Sequence, residues 1–176
     1  VDGGERKRIA GRANVLESVH YTNDGKSIVF VGYAESQLRL YRVAASGGEV
    51  EAISLKAATE PDLSSDGNLL ACAFDYGKDA MNAPLGIISL GDGKVTTLQT
   101  SGMRYEFRPG AKDVTFVRED GATTQNLWMQ SLRGGEPRRL TNFEEGSIAD
   151  YEWSADGKRL AGTHVVQSSD VVLIRR

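Results

Sequence analysis

Trp153-Ser154-Ala155-Asp156-Gly157-Lys158 is the last of four versions of one phrase. The earlier ones are Tyr21-Thr22-Asn23-Asp24-Gly25-Lys26, Leu63-Ser64-Ser65-Asp66-Gly67-Asn68 and Phe107-Arg108-Pro109-Gly110-Ala111-Lys112, so successive copies start 42, 44 and 46 residues apart. Each opens on an aromatic residue or Leu, passes through small or turn-forming residues and runs into an apolar stretch such as Ile28-Val29-Phe30-Val31 or Leu69-Leu70-Ala71. That order predicts strand, tight turn, strand. Asp suits the turn because it can bond amides two residues on, and Gly because it takes a positive φ without a Cβ clash. The third copy has Gly110-Ala111 instead of Asp-Gly, which predicts a different turn with Gly110 left-handed one step early.

A second phrase keeps the same beat. Residues 1–9, VDGGERKRI, match residues 132–140, LRGGEPRRL, and the phrase recurs as Ser46-Gly47-Gly48-Glu49-Val50-Glu51-Ala52-Ile53 and Gly91-Asp92-Gly93-Lys94-Val95-Thr96-Thr97-Leu98. Between the two phrases lies another apolar segment, clearest in Asn126-Leu127-Trp128-Met129-Gln130-Ser131-Leu132. Four strands per unit follow, near 15–21, 27–33, 37–43 and 49–54 in the first. Four antiparallel strands repeating every ~40–50 residues are the signature of β-propeller blades. Helical repeats fit poorly, because the apolar stretches are short and punctuated by 20 glycines.

The expected architecture is therefore all-β: a β-propeller of four blades of four antiparallel strands, as one propeller domain or propeller fragment over residues 1–176. Its units are 1–9 (an outer strand), 10–55, 56–99, 100–141 and 142–176. The last unit supplies three strands, and the N-terminal strand would complete it, removing two sheet edges. An open piece of a larger propeller, or two chains completing one ring, are the other arrangements. Val1 falls in mid-repeat, as cutting a longer array would produce.

These residues resemble the TolB-like, WD40-like propeller repeat, whose usual phrase is aromatic-Ser-Pro-Asp-Gly-Lys, then Leu-Trp, then Gly-Gly-x-x-x-x-Leu-Thr. Trp153 to Lys158, Asn126-Leu127-Trp128, and Gly134-Gly135-Glu136-Pro137-Arg138-Arg139-Leu140-Thr141 match it best. The stretch Ser169-Asp170-Val171-Val172-Leu173-Ile174-Arg175-Arg176 looks similar to the C-termini of propellers attached to bacterial serine/threonine kinases and winged-helix regulators. The resemblance implies a periplasmic or extracytoplasmic location and a binding or sensor role. It also admits a rival, the accessory gating propeller of a prolyl-peptidase-like serine hydrolase. A propeller is a scaffold, and its role must be argued from its sites.

Composition narrows the classes. The chain is 40% hydrophobic and 26% charged with a net charge of −3, as expected of a soluble globular protein. The basic clusters Arg6-Lys7-Arg8 and Arg138-Arg139 fall at outer strands, where charge blunts a sheet edge, so nucleic acid is not an expected partner. No run of 18 apolar residues offers a membrane span, and no leader opens the sequence. Cys72 is the only cysteine and lies in an apolar run, which predicts a small buried core residue. His20 and His164 are the only histidines, no Gly-x-Ser-x-Gly elbow is present and no common zinc spacing appears. No kinase motif is present either. No catalytic residue, metal or cofactor is expected.

The innermost strands carry the informative side chains. One residue before Tyr21, Leu63, Phe107 and Trp153 stand His20, Asp62, Glu106 and Glu152; three before stand Ser18, Glu60, Arg104 and Asp150. Simple alternation puts these polar positions on one side and Val19, Pro61, Tyr105 and Tyr151 on the other. Five of the eight polar positions are carboxylates, so a channel lined by them would hold a negative potential. The candidate ligand-binding residues are His20, Glu60, Asp62, Arg104, Glu106, Asp150 and Glu152, and the implied partner is a protein or peptide, a basic one by this reading. Alternatively, these side chains pair with Arg104 or with backbone amides and merely satisfy buried polar groups. A dimer through blade faces or exchanged strands is a further expectation. The insertion 75–84 is another candidate contact loop, with Tyr76, Lys78 and Met81 as its recognition residues or as plain solvated loop.

Overall fold

Short apolar runs closed by tight turns become antiparallel strands throughout a computed structural model that describes residues 7–10, 14–34, 37–54, 56–75 and 82–167. In chain order they are β1 (Asn14–Tyr21), β2 (Ser27–Ala34), β3 (Gln37–Ala44), β4 (Glu51–Ala52), β5 (Ala58–Leu63), β6 (Leu69–Phe74) and β7 (Ala83–Ser89), followed by β8 (Val95–Phe107), β9 (Asp113–Glu119), β10 (Gln125–Ser131), β11 (Arg138–Arg139), β12 (Ser147–Trp153) and β13 (Leu160–Val165). No α-helix occurs among the described residues, and no helix is long and apolar enough to cross a membrane. The all-β, antiparallel expectation holds. The strands group into three sheets: β1-β2-β3-β4, a seven-stranded sheet from β5 to β11, and β12-β13.

The seven-stranded sheet arises from one strand. β8 pairs with β7 along its first part, from Val95 opposite Ile88 to Gly102 opposite Ala83, and with β9 along its last part, from Met103 opposite Val117 to Phe107 opposite Val114. It is the outer strand of one four-strand group and the innermost strand of the next. The expected boundary at 99/100 thus falls inside a continuous strand. Gly102 permits this, since a Cβ there would lie 2.4 Å from the Val117 carbonyl oxygen and 2.6 Å from the Phe116 ring.

Two expected outer strands are shorter than their phrases: 49–54 contributes only Glu51–Ala52, and the fourth phrase only Arg138–Arg139. Lys7 to Ile9 form no strand, while 1–6 and the C-terminal stretch 168–176 lie outside the described residues, as do Tyr76, Lys78 and Met81 of the insertion. The expected completion of the last unit by the N-terminal strand therefore also falls outside them.

The turns follow local chemistry. Gly25, Gly67 and Gly157 have φ of 66°, 70° and 65°, and their amides donate to Thr22, Ser64 and Ser154. Asp24, Asp66 and Asp156 each accept from a hydroxyl two residues back and an amide two residues on. Hydroxyl donation first and amide donation second hold all three carboxyls below the usual range. In the third turn φ is positive at Gly110 (71°), after Pro109, the signature of a type II turn. Adjacent turns are tied together: Asn23 Nδ2 donates to the Ser65 carbonyl (2.8 Å), the Gly110 amide to Ser65 Oγ (3.2 Å) and Arg108 Nε to the Gly157 carbonyl (2.9 Å).

The core lies between consecutive units. Val29, Val31 and Leu40 pack on Ala58, Leu70, Cys72, Phe74 and Ile88; Ala71, Ala73, Ala83, Leu85 and Ile87 pack on Tyr105, Phe107, Val114 and Phe116; Val117 and Leu127 pack on Ile148 and Tyr151. The last residue of each repeated phrase, Ile9, Ile53, Leu98 and Leu140, packs at the margin of one of these clusters or of the Ile28, Phe30, Tyr41, Val43 group. Cys72 is fully buried as expected, and burial pushes its thiol up to about 12, which leaves it a small apolar filler.

Candidate functional site

Each innermost strand carries a bulge that plain alternation does not foresee. Between Glu17 and His20 three residue steps on β1 match two on β2, and the same mismatch occurs between Thr59 and Asp62 and between Met103 and Glu106. The extra residue is absorbed by Ser18, Glu60 and Arg104, with φ of 55°, 51° and 53°. Non-glycine residues seldom adopt this conformation, so three equivalent instances mark a built-in feature of the repeat. β12 departs from the pattern: its irregularity lies between Ile148 and Asp150, and Asp150 has no positive φ. Pro61, Tyr105 and Tyr151 occupy the buried side as expected, whereas Val19 is 58% exposed.

The bulge aims carboxylates across the gap to the next unit. Glu60 Oε2 accepts from the Arg104 amide (2.8 Å), and Asp62 Oδ2 accepts from the Phe107 amide (2.7 Å). These two side chains do what the alternative reading expected, satisfying backbone amides of the neighbouring strand. Arg104 makes a long ion pair with Asp150 (3.9 Å) in which both side chains are largely exposed, a contact of little energetic weight. The Tyr151 hydroxyl donates to the Arg104 carbonyl.

Glu106 is different. No hydrogen bond to its carboxylate occurs among the described residues, yet the side chain is half-buried. Burial first, then the charges of Asp62, Asp150 and Glu152, push its carboxyl up to about 8 against a smaller opposing pull from Arg104. Asp62 is also raised, by burial first, with the Phe107 amide and the charge of His20 acting the other way.

A cavity of about 370 Å³ opens at this point, and Asp62, Glu106, Asp150 and Glu152 contribute its carboxylates. Trp153, Phe107, Pro109 and Ser65 complete much of its wall. Four of the seven candidate residues therefore meet. His20, Glu60 and Arg104 do not line the cavity: His20 acts on Asp62 through its charge, Glu60 is committed to the Arg104 amide, and Arg104 acts from outside the wall. Among the described residues, no group of three or more His, Cys, Asp or Glu has the geometry to hold a metal ion.

One positioning residue has no mark in the sequence. Thr115 Oγ1 donates to the Glu106 carbonyl (3.2 Å) and accepts from Trp153 Nε1 (3.0 Å), linking the strand that bears Glu106 to the indole wall of the cavity. In the run Val114-Thr115-Phe116-Val117 it reads as one more β-branched strand residue. Arg108 adds a further contact, its guanidinium 5.5 Å from the Trp153 ring centre.

The fold is a TolB-like, WD40-like β-propeller repeat. The chain superposes on a TolB-type protein from Agrobacterium tumefaciens with a TM-score of 0.72 at 14% identity, covering 89% of this chain and 57% of that one. TolB from Acinetobacter baumannii gives a TM-score of 0.62 at 17% identity, with 88% and 44% covered. A chain of the mitotic checkpoint complex gives 0.60 at 14% identity, with 92% and 52% covered. The chain thus spans about half the length of these solved structures, and at such identities the likeness is one of fold. No family model and no curated protein matches the sequence.

Proposed function

We propose that the chain is a non-catalytic β-propeller interaction module whose acidic cavity receives a positively charged group, the ammonium or guanidinium of a basic peptide or protein segment. The carrying observation is the contrast between Glu60 and Asp62, already engaged by amides, and Glu106, which faces the cavity with no hydrogen-bond donor among the described residues. A cation placed between Glu106, Asp150 and Glu152 would supply the missing donor and relieve the repulsion among three carboxylates. The Trp153 and Phe107 rings offer an apolar wall for the aliphatic stem that carries such a charge.

In this reading the four repeat units are blades, and the chain is the C-terminal part of a larger bacterial protein such as a serine/threonine kinase. That parentage and an extracytoplasmic location rest on the sequence resemblance alone. Titration calorimetry with Lys- and Arg-containing peptides against neutral ones tests the cavity. Basic peptides should bind better, and Glu106→Gln with Glu152→Gln should remove the preference. A doubly substituted chain that still prefers basic peptides as strongly as the wild type would overturn the proposal. Because binding favours ionised Glu106, affinity should rise as pH increases through about 8.

A further inference from the structure

Asp-Gly pairs carry a chemistry of their own. The glycine amide nitrogen can add to Cγ of the aspartate, which expels water and closes a cyclic imide; a second water then opens the imide at either carbonyl and returns aspartate or isoaspartate. The nitrogen must shed its proton and the carboxyl must be free to swing onto it, and glycine puts no Cβ in the way. Among the described residues the pairs are Asp24-Gly25, Asp66-Gly67, Asp92-Gly93, Asp120-Gly121 and Asp156-Gly157.

All but Asp120-Gly121 are locked in hairpin turns. The amides of Gly25, Gly67, Gly93 and Gly157 donate to the carbonyls of Thr22, Ser64, Ser89 and Ser154 at 2.8, 2.8, 2.9 and 2.7 Å. The backbone holds each carboxylate as well: Asp24, Asp66, Asp92 and Asp156 accept from the amides of Lys26, Asn68, Lys94 and Lys158, two residues on, at 3.0, 3.1, 3.1 and 3.1 Å. A bonded amide keeps its proton and a bonded carboxylate keeps its place, so both reacting groups are withheld until the turn opens.

Asp120-Gly121 has neither lock. Gly121, Ala122 and Thr123 form an exposed bend, and the Gly121 amide has no acceptor among the described residues. The Asp120 carboxylate meets side chains only: Arg118 Nε (3.4 Å), Arg139 Nε (3.3 Å) and Trp128 Nε1 (3.1 Å). Ion pairs of that length on partly exposed arginines carry little weight and open in water. We infer that Asp120-Gly121 is the site at which the folded chain forms isoaspartate, while the fold shields the hairpin pairs. The product carries its free carboxylate one carbon nearer to a main chain that is one carbon longer. The Asp120 link between Arg118 on β9, Trp128 on β10 and Arg139 on β11 is thereby lost.

Prolonged warm incubation of the full chain at neutral pH tests this, beside a sample held in guanidinium chloride. Peptide mapping with electron-transfer fragmentation locates the isoaspartate, and circular dichroism confirms that the first sample stays folded. The folded chain should convert at Asp120 and several-fold more slowly at Asp24, Asp66, Asp92 and Asp156, whereas in denaturant the hairpin pairs should catch up. Gly121→Ala should slow conversion at Asp120 several-fold and leave the fold intact, because a Cβ there meets nothing within 4 Å and φ is not positive. A hairpin aspartate that converts in the folded chain as fast as Asp120 overturns the inference. So does an Asp120 that stays intact in the folded chain while converting in denaturant.

Discussion

Tyr105 and Phe107 in the third unit and Val19 and Tyr21 in the first stand at the same places in their strands, yet the first pair is 1% and 6% exposed and the second 58% and 62%. Tyr21 carries an aromatic ring of the same size as that of Phe107. What differs is whether the strands of a neighbouring unit lie in front, here through Ala71, Ala73, Ala83, Leu85 and Ile87. In a repeat protein, burial belongs to the interface, and stability is close to a sum of unit and neighbour terms.

Removing a ring on each side breaks the comparison most strongly. Tyr105→Ala should destabilise by ~3–5 kcal/mol, since it empties a buried aromatic site and also removes the hydroxyl that donates to the Ala83 carbonyl (2.7 Å). In dilute solution, Tyr21→Ala should stay within about 0.5 kcal/mol. Denaturant unfolding of the two variants side by side measures the difference, and equal losses would contradict the assignment of faces.

The same interface can be attacked through the backbone. Gly102→Ala forces a Cβ against the Val117 carbonyl and the Phe116 ring and should cost about 1–3 kcal/mol, with loss of the β8–β9 pairing visible in amide exchange. Asp62→Ala leaves the Phe107 amide without its acceptor and should cost about 1–3 kcal/mol. Asp62→Asn retains an acceptor oxygen and should recover part of that loss.

A smaller, pH-dependent effect separates Glu106 from the turn aspartates. The folded carboxyl of Glu106 sits near 8, above its ordinary 4.5, so between those values the folded chain holds more protons than the unfolded one. Its contribution to stability therefore falls as pH rises from about 4.5 to about 8. Melting temperatures of Glu106→Gln and wild type should diverge over that window, the variant holding up better at the alkaline end. Asp24, Asp66 and Asp156 act oppositely: their carboxyls lie below 3.8, so their support is complete above that value and fades on further acidification. Replacing Asp66 with Asn should flatten the acid limb of the stability curve.

The Asp-Gly turns were legible in the sequence because their causes are local: a carboxylate two residues from an amide, and a glycine where φ is positive. Even the exception at Gly110 could be read, from Gly110-Ala111 standing where the other copies have Asp-Gly. The inner-strand positions that gather Asp62, Glu106, Asp150 and Glu152 were legible as well, because the repeat fixes their offset from Leu63, Phe107 and Trp153. The left-handed bulges were not. Ser18, Glu60 and Arg104 carry no signal for positive φ, since the conformation is imposed by pairing with the next strand. Nor did Gln99-Thr100-Ser101-Gly102 announce a strand crossing from one group to the next, because polar residues and a glycine are the composition of a loop. The separation of Glu106 from Glu60 depends on which carboxylate meets an amide across the interface, and only three-dimensional geometry decides that.

β8 has a mechanical consequence. Ordinary neighbouring units meet through side chains and a connecting loop, so one can loosen while the other stays intact. Here a single 13-residue strand is stitched into the sheets on both sides, and opening it anywhere severs hydrogen bonds in two groups at once. The second and third groups should therefore open and close as one cooperative block, with the slowest amide exchange at its centre, while fraying starts at β1 and β13. The molecule has a stiff spine in the middle of its sequence and keeps its freedom to move for the ends.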